Sequence, residues 1–269
     1  MWLRHWGLAH DPFAAMLSPY VPLPSHDEAT ARLVYSIERH QRFITLFAVA
    51  GLGKTTVLRQ VTREARSPLL RIVMVHAPSD GRQLLALLAD GLGLPVAAGS
   101  GPSTVWRWLA RALRAASLEG RHVVFAIDGW DMNVDSTTMQ DLTALLEIGG
   151  GSGTPVSLVR VGRGIDADHD GRDHRGALAI GLERLTRSET EAYLKAKLAF
   201  GGCRERILTP RALTRLHSWS EGIPRALEQL AALSMMAGAL QGLEVLTPDV
   251  VDGVAQHSLV GMDAGISQG

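Results

Sequence analysis

The chain has 269 residues, with 27 Lys plus Arg balanced by 27 Asp plus Glu, and 46% of its side chains are hydrophobic. That length holds one large domain, or one domain with a smaller companion, and buries a core without covalent staples. Neutrality excludes a chain-wide basic field, and the single cysteine, Cys203, excludes an intramolecular disulfide and a Cys-based zinc site.

Arginine far outnumbers lysine, so a local basic patch, and with it DNA binding, stays open. The opening MWLRHWGLAHDPF breaks its apolar residues with charges and histidines, unlike a signal peptide. No apolar run reaches the roughly 20 residues of a membrane span. The richest, residues 226–240, is cut by Glu228, Gln229 and Ser234. A cytoplasmic protein without an integral membrane segment is the expectation.

Short β-rich runs alternate with helical patterns over the first two thirds, as in a parallel sheet covered by helices. Strands are expected at 43–48, 69–76, 122–127 and 155–161, with a weaker one at 177–182. Helices begin near Lys54, Asp80, Pro102 and Ser136, the last with Asp135 or Ser136 as its cap and a stripe of Met139, Leu142, Leu145 and Leu146. Gly149, Gly150, Gly151, Ser152 and Gly153 read as a flexible connector. After Leu185 only helical segments follow, at 188–200, 209–220, 224–240 and 247–256. Thr209-Pro210 and Thr247-Pro248 place a capping hydroxyl before a first-turn proline. The small, polar tail from Ser258 is expected to fray.

The first strand runs into AVAGLGKTT, a Walker A pattern in its proper strand–turn–helix context. Ala48, Val49, Ala50, Gly51, Leu52, Gly53, Lys54, Thr55 and Thr56 form the candidate phosphate loop. The glycines let successive N–H groups point at phosphate oxygens, and the helix start adds its positive dipole end. Lys54 places a charge on the β- and γ-phosphates, and Thr55 offers its hydroxyl to Mg²⁺. The implied ligand is Mg·ATP. Ala48 replaces the usual first glycine, a change that costs little unless φ must be positive.

HVVFAIDGWDMN is an apolar strand ending in Asp128, the Walker B pattern, whose carboxylate orients the magnesium water shell beside Thr55. Asp128 as a simple turn-former before Gly129 is the competing reading. Hydrolytic relatives carry a glutamate at the next position; here it is Gly129. Asp131 reaches the attacking water only if the Gly129-Trp130 turn brings it inward, so slow or partner-dependent hydrolysis is expected.

HWGLAHDPF, AVAGLGKTT, LERLTRSETEAYLKAKL and GIPRALEQLA together resemble AAA+ ATPases of the ExeA/GspA kind, from general secretion and pilus assembly. That group is itself similar to transposition-regulator ATPases of the TniB and TnsC kind. The resemblance implies an α/β P-loop three-layer sandwich with a five-stranded parallel sheet over residues 1–185, a helical lid over 186–257 and a flexible tail over 258–269. It implies nucleotide held between core and lid, the segment from His5 to Phe13 near the adenine, and a helix from His26 leading into the first strand. It makes Arg225 of the G-x-P-R motif a γ-phosphate sensor, Arg175 a finger reaching a neighbouring subunit's nucleotide, and Arg163 an unusual first sensor. A homo-oligomer, ring or filament, is implied. The open functions are an ATP-hydrolysing motor or switch acting on a protein partner, a non-hydrolysing nucleotide switch, and a DNA-targeting ATPase.

Three further signals carry blander readings. Asp166, Asp168, Asp170 and Gly171 open like a calcium loop, but the twelfth position is Ala177 instead of glutamate, so a solvated acidic loop, with His169 and His174 in it, is expected. Trp106 and Trp108 point apart on their helix, one into the core and one outward. Cys203 reads as a small residue at a helix end.

Overall fold

The computed structural model describes residues 1–14, 20–78, 81–97, 99–130, 136–151, 156–164, 178–203 and 207–266. Five apolar runs form its strands, β1 (Phe43–Phe47), β2 (Leu70–His76), β3 (His122–Asp128), β4 (Val156–Gly162) and β5 (Leu178–Gly181). They pair wholly in parallel in the order β2-β3-β4-β1-β5. Their register sets Phe47 opposite both Gly162 and Gly181, and His76 opposite Asp128, so the carboxyl ends of β1, β2 and β3 open on the same edge. In parallel sheets that edge is where ligands bind.

The chain opens with a one-turn helix, α1 (Trp2–His5), followed by α2 (Pro24–Glu38), α3 (Lys54–Glu64), α4 (Gly81–Gly91), α5 (Pro102–Leu118) and α6 (Ser136–Gly151). Strand alternation divides β3 between two cores. Val123, Phe125 and Ile127 join Leu84, Leu88, Leu109, Leu113, Leu142 and Leu145 of α4, α5 and α6. On the opposite face Val124 and Ala126 meet Leu33 and Ile37 of α2 and Leu58 and Val61 of α3. The sheet is therefore the middle of three layers. Helix α6 continues through Gly149, Gly150 and Gly151, where the sequence suggested a connector. Each glycine costs a helix about 1 kcal/mol against alanine, a bias that does not forbid continuation.

Contacts group the chain into two units: Pro24–Ala50 with Lys54–Leu182, and Met1–Leu23 with Gly51–Gly53 and Glu183–Gly269. The second contains α7 (Arg187–Phe200), α8 (Pro210–Ser220), α9 (Pro224–Leu240) and α10 (Pro248–Ile266). Thr186 caps α7 through a capping box with Glu189. Thr209 caps α8 by accepting from the Ala212 N–H at 3.1 Å. The core of this unit draws Trp6 and Leu8 from the N-terminus onto Leu194, Leu216, Leu227, Met235 and Val251. The Trp6 indole N–H donates to the Met235 carbonyl at 2.8 Å, within reach because Gly238 of α9 leaves room for the ring. Helix α10 runs on to Ile266, past the expected end at Gln256 and through the stretch expected to fray.

Candidate functional site

The turn after β1 is shaped by Gly51 at φ 85° and Gly53 at φ 92°, a backbone region that residues with a Cβ rarely adopt. It delivers Lys54 as the first residue of α3. The Lys54 ammonium curls back into the loop, donating to the Ala48 carbonyl at 2.6 Å and the Val49 carbonyl at 3.2 Å. Among described non-glycine residues only His40 and Glu221 have positive φ, so Ala48 carries its Cβ without backbone strain. Its N–H donates to the Gly162 carbonyl at 3.2 Å, tying the loop to the end of β4. Leu52 is buried, whereas Val49, Ala50 and Thr56 are exposed.

The Thr55 hydroxyl donates to Asp128 Oδ2 at 2.5 Å, joining the first turn of α3 to the end of β3. A hydroxyl and a carboxylate converging beside a lysine and a glycine-shaped loop are the donor set a magnesium–triphosphate pair needs. These residues fit that ligand. Thr55 and Asp128 would hold the cation or its waters, while the loop amides and Lys54 would hold the phosphates.

Beyond Asp128 the chain is committed to a particular path. Gly129 has φ 80°, and a Cβ there would lie 2.5 Å from Cε1 of His76 at the end of β2. The exposed His76 ring can swing aside, but the left-handed backbone remains, and any side chain at 129, glutamate included, carries that strain. The Trp130 N–H donates to the Val161 carbonyl at 2.7 Å, pinning the turn onto β4, and the Arg160 guanidinium lies 5.8 Å from the Trp130 ring centre. Asp131 lies outside the described residues, as do Arg175 and the 165–177 stretch with its acidic and histidine residues. No cluster of metal-ligating side chains occurs among the described residues.

Within the helical unit the GIPR segment has a definite geometry. Glu221 is left-handed at φ 51° and Gly222 follows at φ 69°. The Leu185 N–H donates to the Gly222 carbonyl at 2.8 Å, and a Cβ on Gly222 would strike the Leu185 carbonyl at 2.3 Å. Only glycine allows that approach. Pro224 then starts α9, leaving Arg225 exposed in its first turn with its backbone N–H donating to the Gly51 carbonyl at 3.3 Å. A Cβ on Gly51 would meet Ile223 Cγ2 at 2.9 Å and Arg225 Cβ at 3.0 Å. Arg163 is exposed just past β4.

Residues 37–169 match the family model described as AAA domain. That stretch is an AAA domain. It is 24% identical over 257 residues to general secretion pathway protein A of Aeromonas hydrophila, a match covering 90% of this chain and 46% of that protein. The chain thus spans about half the length of that relative. Among solved structures it is similar to Cdc6p from Pyrobaculum aerophilum, with a TM-score of 0.76 and 18% identity over 93% of this chain and 71% of the other. The Aeropyrum pernix ORC1 protein, solved in complex with DNA, gives 0.71 and 18% over 91% of this chain and 68% of the other. At such identities these structures establish the P-loop AAA fold. No helix among the described residues is long and apolar enough to cross a membrane.

Sequence reasoning overlooked two members of this neighbourhood. His76 lies far from Gly129 in the chain and meets it only through the register of β2 on β3. Arg160 reads as a polar interruption of an apolar strand, and that interruption was the available signal. Trp106 packs against the core of its unit and Trp108 faces outward, as their spacing requires. Cys203 sits in the turn ending α7, where its N–H donates to the Leu198 carbonyl at 2.9 Å after Gly202 at φ 92°.

Proposed function

We propose that this chain binds Mg·ATP through Ala48–Thr56 and Asp128 and couples binding, with slow hydrolysis, to self-assembly or to remodelling of a protein partner. The observation that carries the reading is the 2.5 Å contact from the Thr55 hydroxyl to Asp128 beside the glycine-shaped loop. In this reading Lys54 leaves the Ala48 and Val49 carbonyls for the β- and γ-phosphates. Bound magnesium supplies charge neutralisation at the phosphate oxygens. Arg225, in the first turn of α9 with its N–H on Gly51, is the proposed sensor of the γ-phosphate. Arg175 keeps the finger role that the family resemblance implies, and Asp131 orients the attacking water on condition that the Gly129-Trp130 turn brings it inward.

Gly129 favours slow turnover, because the position after the Walker B aspartate holds no carboxylate and its backbone disfavours one. The same feature favours, as second reading, a switch that releases no phosphate. Calorimetry and phosphate release with Mg·ATP separate these. Wild type binding ATP, Lys54→Ala losing at least about tenfold in affinity, and release that vanishes with Lys54→Ala support the ATPase. Binding without release supports the switch. No heat of binding by the folded wild type refutes both.

A further inference from the structure

Helix α5, sequence PSTVWRWLARALRAASL, contains no acidic residue. Its inner side buries Val105, Leu109, Ala110 and Leu113. The opposite side carries Arg107, Arg111 and Arg114, all exposed, at the four- and three-residue spacing that stacks side chains on one face. Among the described residues Arg32, Arg121, Arg184 and Arg215 each pair with a carboxylate, whereas Arg59 and Arg63 of α3, like the three on α5, do not. Helix α5 differs in carrying no acidic residue beside its row. On α5 the one polar contact of these three arginines among the described residues is Arg107 Nη2 donating to Thr104 Oγ1 at 3.4 Å. The acidic residues on the helices packed against α5, Asp90 on α4 and Asp141 and Glu147 on α6, form no ion pair with them. On a molecule of zero net charge, this is a local cationic stripe left uncompensated among the described residues.

The stripe has an aromatic flank. Trp108 is 36% exposed, about 60° round the helix from Arg111, so part of an indole lies open beside the guanidinium row. From Arg107 to Arg114 the row spans roughly 10 Å. Planar guanidinium groups take phosphate oxygens two at a time, and an open indole stacks on any unpaired base. Cations tracking a backbone beside a stacking platform are how single strands are held without sequence preference. We infer that the outer face of α5 binds single-stranded nucleic acid, with Arg107, Arg111 and Arg114 on successive phosphates and Trp108 stacked on a base. This surface goes beyond the nucleotide site and is independent of it.

The experiment is fluorescence anisotropy of a labelled deoxythymidine 20-mer with the full chain, without nucleotide, across a salt series. Wild type binds the strand at low salt. In the triple variant Arg107→Gln, Arg111→Gln, Arg114→Gln the slope of log affinity against log salt shrinks by about 2, at roughly 0.7 for each phosphate no longer neutralised. Trp108→Ala weakens binding about tenfold with the slope unchanged, and Trp108→Phe largely restores it. Lys54→Ala binds the strand as wild type does, so a failure of the ATP reading leaves this result standing. Four results overturn the inference: no binding at low salt, an unaltered slope in the triple variant, no effect of Trp108→Ala, or preference for a duplex or for phosphatidylserine vesicles over the strand.

Discussion

Acid should weaken the sheet unit through one buried histidine at the amino-terminal end of β3. His122 is buried, and its Nε2 lies 2.9 Å from the Ser157 hydroxyl, which itself donates to the Gln41 carbonyl at 2.6 Å. With its proton committed to Gln41, Ser157 is left to accept, which assigns the imidazole proton to Nε2 and leaves Nδ1 as an acceptor. Nδ1 faces Nδ1 of His40 at 3.3 Å, so a second proton on His122 enters a desolvated space opposite another imidazole. Burial first, and His40 second, push the His122 pKa from 6.5 down to about 4. The folded value lies below the unfolded one, so the unfolded chain binds the proton first. The stabilisation is present in full above about pH 6.5, falls as the pH drops, and is exhausted below about pH 4. The interval of about 2.5 pH units corresponds to roughly 3 kcal/mol. Urea unfolding of wild type and His122→Leu at steps from pH 7 to 4.5 reads the difference, since acid effects elsewhere cancel between the two. The variant loses about 1 kcal/mol at neutral pH for its hydrogen bond but falls less steeply in acid. Parallel pH dependence in the two proteins, or an NMR titration of His122 near 6.5, refutes the reasoning.

Gly51→Ala should cost more than Gly120→Ala, although both glycines have positive φ, at 85° and 66°. A Cβ at Gly120 meets nothing within 4 Å, whereas one at Gly51 presses on Ile223 and Arg225. Both lose about 1–2 kcal/mol for the left-handed backbone, so thermal unfolding isolates the steric clash as the excess at Gly51, and equal losses refute it. Trp6→Ala should destabilise the helical unit by about 3–5 kcal/mol, because it empties a buried ring site and deprives the Met235 carbonyl of its donor. Hydrogen exchange on α9 measures this, and unchanged protection there would show that the N-terminal segment is dispensable.

The strands and the phosphate loop were legible because their signals are local. Apolar runs with β-branched residues gave all five strands within a few residues, and two glycines before Lys54 admit few backbone paths. The Thr209-Pro210 pair before α8 is equally local, whereas the Thr186–Glu189 capping box, just as local, was overlooked. The misjudged boundaries arose where a weak local preference was outweighed, as in the glycine run at the end of α6 and the polar tail of α10. What the sequence concealed depends on register and on distant packing. That Trp6 would be buried follows from its chemistry, but that it would be buried on Met235 does not. The same holds at the site. Gly129 by itself reads as a missing carboxylate, yet register brings His76 to its Cα, so the substitution at one strand end is matched by a bulky ring at the next. Because that exposed ring can swing aside, what holds position 129 to glycine is the left-handed backbone. Restoring a carboxylate at 129 therefore tests backbone strain before it tests hydrolysis, and varying His76 alongside it does not remove that strain.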